Sequence, residues 1–204
     1  MTPAEFSRWT ANKQRELEKL MRHVLPKVVG RMAKDHFQDN FYKGGFVNGG
    51  LHPWKPAKRL SSGLRGAAYR YGTLLSGDKH LFNSIKYIPG EGRVKVSNDM
   101  RYAPIHNWGG TVNPTVTDKM RRHAWYMYYK SIGKKKKTAK GKKKGGSTAT
   151  PENTQAQFWK RLALTKKSKL NVKMPQRQFL GESAELSEKI AAVRESEIRK
   201  ILNS

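Results

Sequence analysis

Ser84-Ile85-Lys86-Tyr87-Ile88-Pro89-Gly90-Glu91-Gly92-Arg93-Val94-Lys95-Val96-Ser97 is the stretch that decides the fold. Apolar and polar residues alternate over 84–88 and again over 93–97, the period of a strand with one buried face. Between them Pro89-Gly90-Glu91-Gly92 supplies turn residues, so the stretch predicts an antiparallel hairpin. Helical patterns lie on both sides of it. Upstream, Thr2-Pro3-Ala4-Glu5 reads as a capping box with proline in the first turn, and a helix should start there. Its apolar positions Phe6, Trp9, Leu17, Leu20, Met21, Val24, Leu25, Val28, Val29 and Met32 recur every three or four residues. They predict one broad core-facing stripe on a helical run ending by about Asn40. Pro26 removes a backbone donor inside that run, which predicts a kink or break near residues 22–26. Residues 43–66, rich in glycine and proline, read as a long loop that places Trp54, and a short helix follows at about 77–83. Tyr102 to His106 reads as a short helical or irregular segment. At the far end Leu186, Ile190, Val193, Ile198 and Ile201 mark an amphipathic helix from Ser183 to about Leu202, packed on the sheet. The expected class is α+β, a small antiparallel sheet packed by N-terminal and C-terminal helices.

At 204 residues the chain suits a single domain, 1–204, carrying an appendage. Lys and Arg number 42 against 15 Asp and Glu, and a net charge of +27 calls for a polyanion or an acidic neighbour. The charge is concentrated: from Lys119 to Lys173, 18 basic residues face Glu152 alone. This basic insertion, placed at 119–171, has a low-complexity core at 134–148. There Lys134, Lys135, Lys136, Lys137, Lys140, Lys142, Lys143 and Lys144 repel one another and offer nothing apolar to bury. Thr111-Val112 and Val172-Lys173-Met174 read as strands flanking it. The chain has no cysteine, which excludes a disulfide framework or zinc ribbon and suits a reducing cytoplasm. No apolar stretch approaches the roughly 18 residues of a membrane span, and the N-terminus lacks a signal pattern. A soluble protein without membrane contact is therefore expected.

Two motifs flank the insertion: Tyr102-Ala103-Pro104-Ile105-His106-Asn107-Trp108-Gly109-Gly110 and, further on, Met174-Pro175-Gln176-Arg177-Gln178-Phe179-Leu180-Gly181. In the first, Gly109 and Gly110 let the backbone take positive φ without a Cβ penalty. In the second, Pro175 fixes a turn beside Arg177 and the apolar pair Phe179-Leu180, and Gly181 leads into the last helix. Upstream stand Phe41, Gly44-Gly45-Phe46, Trp54-Lys55-Pro56, Arg59, and Leu75-Ser76-Gly77-Asp78-Lys79-His80-Leu81 running into Ser84-Ile85. In this order the pieces resemble the phage virion morphogenesis family, the tail completion proteins of the head-tail junction of tailed phages. The likeness covers residues 37–115 and 172–202. It departs at Trp108, where a smaller aromatic is more usual, and at Gln178, where a second proline is. The resemblance implies a structural, non-enzymatic subunit of the virion, assembled in the host cytoplasm. It also implies a homo-oligomeric ring, hexameric, against neighbouring neck, connector or tail-terminator proteins. Around a DNA path the eight lysines of 134–144 could neutralise phosphates without reading sequence, or grip acidic protein surfaces.

Individual residues carry competing readings. His106 invites a catalytic role, yet only Asn107, Asp99 and Tyr102 lie nearby in sequence, and a histidine holding a turn is the better account. Arg177 could meet a phosphate or an acidic partner subunit, or pin a loop of its own subunit. Trp54, Trp108 and Trp125 could stack on bases, but large aromatics more often fill a core or a subunit interface. Trp125-Tyr126-Met127-Tyr128-Tyr129 discriminates poorly between faces and reads as an assembly surface, together with Trp108, Arg177 and Phe179. Trp54, His106, Gly109, Gly110, Pro175 and Gly181 read as structural. The six histidines show no zinc-binding spacing and the glycine pairs form no nucleotide-binding loop, so no metal or cofactor is expected. The competing function is a free-standing, sequence-nonspecific nucleic-acid-binding protein. A third class, an enzyme, lacks converging carboxylates or a nucleophile-base set.

Overall fold

The computed structural model describes residues 2–61, 70–132 and 154–204. The low-complexity core 134–148, with its eight lysines, lies outside the described residues. The chain divides into two compact units, Met1–Gly110 with Met174–Ser204, and Thr111–Lys173.

In the first unit, α1 (Pro3–Lys19) opens on the expected capping box: Thr2 Oγ1 accepts from the Glu5 N–H at 3.2 Å, and Glu5 Oε2 accepts from the Thr2 N–H at 2.7 Å. The helical path does not break at Pro26. It widens into a π-helical turn at Leu20–Val24 and continues as α2 (Leu25–Lys43), and the Arg22 carbonyl, four residues before Pro26, accepts instead from the Gly92 N–H at 3.1 Å. Gly44, in the left-handed conformation at φ +68°, ends it. The wide turn also corrects the expected stripe. Its extra residue shifts the helical phase, so Met21, Val24 and Val28 face outward while Leu20, Leu25, Gly30, Ala33, Phe37 and Phe41 are buried. Phe6 and Trp9 are exposed for another reason. The last helix reaches α1 near Lys13, whose Nζ donates to Ser204 Oγ at 3.0 Å, and the two rings lie in the turns beyond that point, stacked on each other.

Residues expected to form only a loop contain a short hairpin, β1 (Gly45–Val47) paired with β2 (Leu51–Pro53). A 3-10 turn at Lys58–Ser61 follows, then α3 (His80–Asn83). The hairpin that decides the fold is β3 (Ile85–Gly90) and β4 (Arg93–Asn98), with Gly90 opposite Arg93. Its turn is therefore only Glu91-Gly92, Gly92 at φ +64°, and Pro89 and Gly90 belong to the strand. Hydrogen-bonded and non-bonded pairs alternate from the turn, which places Pro89 at a pair where no N–H is needed. The hairpin packs on α2 at Gly30, where an added Cβ would meet the Tyr87 ring and sit 2.9 Å from Val94 Cγ2.

After α4 (Ala103–Trp108) comes β5 (Gly110–Val112). The second unit contains α5 (Asp118–Ser131) and α6 (Thr154–Leu164), packed on each other, and the chain returns through β6 (Val172–Met174); the two strands expected to flank the insertion are present, and they pair with each other. Helix α7 (Ala184–Asn203) closes the first unit. Ser183 caps it, its hydroxyl accepting from the Leu186 N–H. Instead of lying on a sheet, α7 packs chiefly against α1 and α2. The class is α+β, and the strands form three separate antiparallel pairs. The core gathers Phe37, Phe41, Phe46, Trp54, Leu81, Ile85, Phe179 and Leu186. Phe41, 1% exposed, is its hub, with ring contacts to Trp54, Phe82 and Phe179 at 5.4–5.9 Å.

Candidate functional site

The two sequence motifs meet in the first unit. Pro104 in its first turn suits α4 to a tight start, and the helix stops at Gly109, φ +71°, followed by Gly110, φ +134°. Gly109 is fixed twice over. Beyond its backbone angle, a Cβ there would stand 2.9 Å from Gln176 N and 3.2 Å from Met174 O, so the second motif passes directly against it. The residue that joins the motifs is Asn107, 6% exposed. Its Oδ1 accepts from the N–H groups of Phe179 and Leu180, both at 2.9 Å, and its Nδ2 donates to Leu180 O at 3.0 Å. One carbonyl adds to this: the Arg177 N–H donates to His106 O at 2.7 Å.

The second motif in turn fastens the segment after β2. The Trp54 indole N–H donates to Gln178 O at 2.7 Å, and Arg177 donates from Nε to Lys55 O at 2.8 Å and from its terminal nitrogen to Pro56 O at 3.4 Å. Arg59 carries the fastening on, donating to the carbonyls of Tyr71, Gly72, Thr73 and Leu75. These arginines act as carbonyl clamps. Burial, with Arg59 nearby, pulls the Arg177 pKa down, and burial with the Arg177 cation lowers that of His106. A Cβ at Gly181 would meet the end of the Gln178 side chain, which can swing aside. Pro175 lies half-buried just after β6.

Of the residues expected at an assembly surface, Arg177 and Phe179 are buried within the first unit, at 7% and 0% exposure, because the clamp turns both side chains inward. Trp108 is exposed at 69%, on the rim of a cleft of about 510 Å³ between β4, α4 and the second motif. None of the twelve residues lining that cleft is charged. In the second unit the aromatic run is helical and its faces differ: Met127 is buried, Trp125 and Tyr128 are half-buried, Tyr126 and Tyr129 are exposed. The structure therefore brings Trp54, His106, Gly109, Gly110, Pro175, Arg177, Phe179 and Gly181 together, and describes the aromatics of α5 as part of a different unit.

Sequence reasoning passed over Asn107, weighing it only as a neighbour of His106. The available signal was a lone side-chain amide inside a motif otherwise made of aromatic, apolar and glycine residues. Chemically the site is a set of amide, indole and guanidinium groups satisfying main-chain atoms. His106 Nδ1 is buried without a hydrogen bond among the described residues, and its ring packs edge-on against Tyr102. Among the described residues no group of three His, Asp or Glu side chains could hold a metal ion, and no helix is long and apolar enough to cross a membrane.

No curated protein and no solved structure matches the chain. The model of the phage virion morphogenesis family matches residues 6–199, a span that includes both motifs, the clamp that joins them and the basic insertion between. The match covers nearly the whole chain: this protein belongs to the phage virion morphogenesis family and has a structural role in building the phage particle.

Proposed function

We propose that the protein is a tail completion subunit that joins tail to head, as a ring around the path of the DNA. The observation that carries this reading is where the charge lies. Eighteen of the 42 basic residues fall in the segment between the two clamped motifs, which leaves and re-enters the first unit through the β5–β6 pair. A chain whose two joined motifs bracket one strongly basic segment suits a joint between a DNA-filled shell and a tail, where phosphates or acidic neighbouring subunits must be neutralised. Neighbouring neck, connector or tail-terminator proteins would be its partners. Depleting the protein during particle assembly tests this: filled heads and full-length tails should accumulate unjoined. Missing heads or malformed tails would overturn it. The charge alone also supports a free-standing nucleic-acid-binding protein, and joined particles at normal yield after depletion would favour that second reading.

A further inference from the structure

Helix α5 turns a chemically distinctive face outward. Between Lys119 and Lys130 its exposed residues are Lys119, Arg122, His123, Tyr126, Tyr129 and Lys130. At about 3.6 residues per turn these fall on one stripe roughly 120° wide. Ala124 and Met127 form the opposite, buried stripe, toward α6. Tyr126, 56% exposed, has Arg122 one turn before it and Lys130 one turn after, each ~6 Å away along the axis. Lys119, Arg122 and Lys130 form no ion pair among the described residues, and the acid at the head of the helix, Asp118, is engaged by Arg121 at 3.5 Å. The stripe carries no carboxylate and no aliphatic side chain.

We propose that this face binds single-stranded nucleic acid, Tyr126 and Tyr129 stacking on unpaired bases while Lys119, Arg122 and Lys130 hold phosphates. Rings spaced between cations are the arrangement that such a strand needs, since every base offers a π-face and every linkage a negative charge. A duplex would satisfy the cations but hide its base faces from the rings. An acidic protein would also satisfy the cations, but it offers no regular succession of π-faces to rings set between those cations, and competition by an acidic polymer separates the two. The inference goes beyond joining head to tail and does not depend on it, because it stands or falls in solution.

The test uses the full chain with the eight lysines of 134–144 replaced by Gln, so that the tract does not mask weaker contacts. The probe is a mixed-sequence DNA oligonucleotide, single-stranded or annealed to its complement. In that background Y126A with Y129A should weaken single-strand binding by about tenfold or more, and duplex binding by less than about twofold. Y126F with Y129F should restore it, since phenylalanine keeps the ring. R122Q with K130Q should weaken both probes and flatten the salt dependence. The Tyr129 ring also packs on Trp125 and Tyr128, so helical circular dichroism of the alanine and phenylalanine pairs is compared, and equal spectra are expected. The proposal is overturned if the alanine pair affects both probes equally or neither, or if polyglutamate competes as well as the oligonucleotide, which would assign the face to an acidic protein.

Discussion

Asn107 shows how much one amide can decide. Replacing it by Ala leaves the buried N–H groups of Phe179 and Leu180 without their acceptor, and each unsatisfied group costs ~1–3 kcal/mol. Asn107→Ala should therefore lower stability by about 3 kcal/mol in urea titration, whereas Trp108→Ala next door, at an exposed position, should stay within about 0.5 kcal/mol. Gly109→Ala forces a side chain into a backbone conformation that L-residues avoid, and into Gln176, so a loss of ~3 kcal/mol is expected. A neutral Gly109→Ala would contradict the close approach. The buried histidines set a pH dependence. Burial first, then Lys189 and Lys43, lowers the pKa of His36 below 6.5 against the opposing pull of Glu185 and Asp39, while burial and Arg177 lower that of His106. The unfolded chain takes up these protons first. Stability should thus be full above pH 6.5 and decline as pH falls through the depressed folded values. Glu185 adds to this at lower pH: hydrogen bonds from its own N–H, Gly50, Gly49 and Ser183 hold its pKa below 4.5, so its contribution is lost as pH falls through that lowered value. Urea titrations on both sides of pH 6.5 check the histidine contribution, and a flat profile there would refute it.

At the scale of elements, the helix-hairpin contact reverses the usual effect of a substitution. Gly→Ala inside a helix ordinarily gains about 1 kcal/mol in propensity. At Gly30 the new methyl meets the Tyr87 ring and Val94, and overpacking of ~1–3 kcal/mol should outweigh that gain. Gly30→Ala should be destabilising, and Gly30→Ala with Val94→Ala less so than the sum of the two. Most elements were legible from local chemistry. The capping box starts α1, the alternation writes β3 and β4, and the spaced aliphatics write α7. What sequence reading misplaced depends on neighbours. The phase of the α1–α2 stripe changed because a π-turn preceded Pro26, and α7 met helices where a sheet was expected. The helical nature of 118–131 is obscured by an aromatic run whose burial is decided by α6.

The whole molecule is dominated by a charge of +27. Like-charged copies repel over about 10 Å at 0.1 M salt and further at lower salt, so the isolated chain should sediment as a monomer at low ionic strength and associate only with a neighbouring particle component. A stable ring of the isolated protein at low salt would contradict this. Replacing the eight lysines of 134–144 by Gln should also remove much of the salt dependence of duplex binding, because each phosphate that is no longer neutralised lowers the slope by ~0.9. The sequence by itself determined what depends on residue type and near neighbours: the α+β class, the hairpin, the helix starts, the flanking strands and the concentration of charge, together with the motif order that marks the family. Only the tertiary structure decided that Arg177 and Phe179 turn inward, that Asn107 binds one motif to the other, and that one side of α5 is left to solvent. Those outcomes turn on which main-chain atoms from distant segments arrive within hydrogen-bond reach, and no local pattern encodes that encounter.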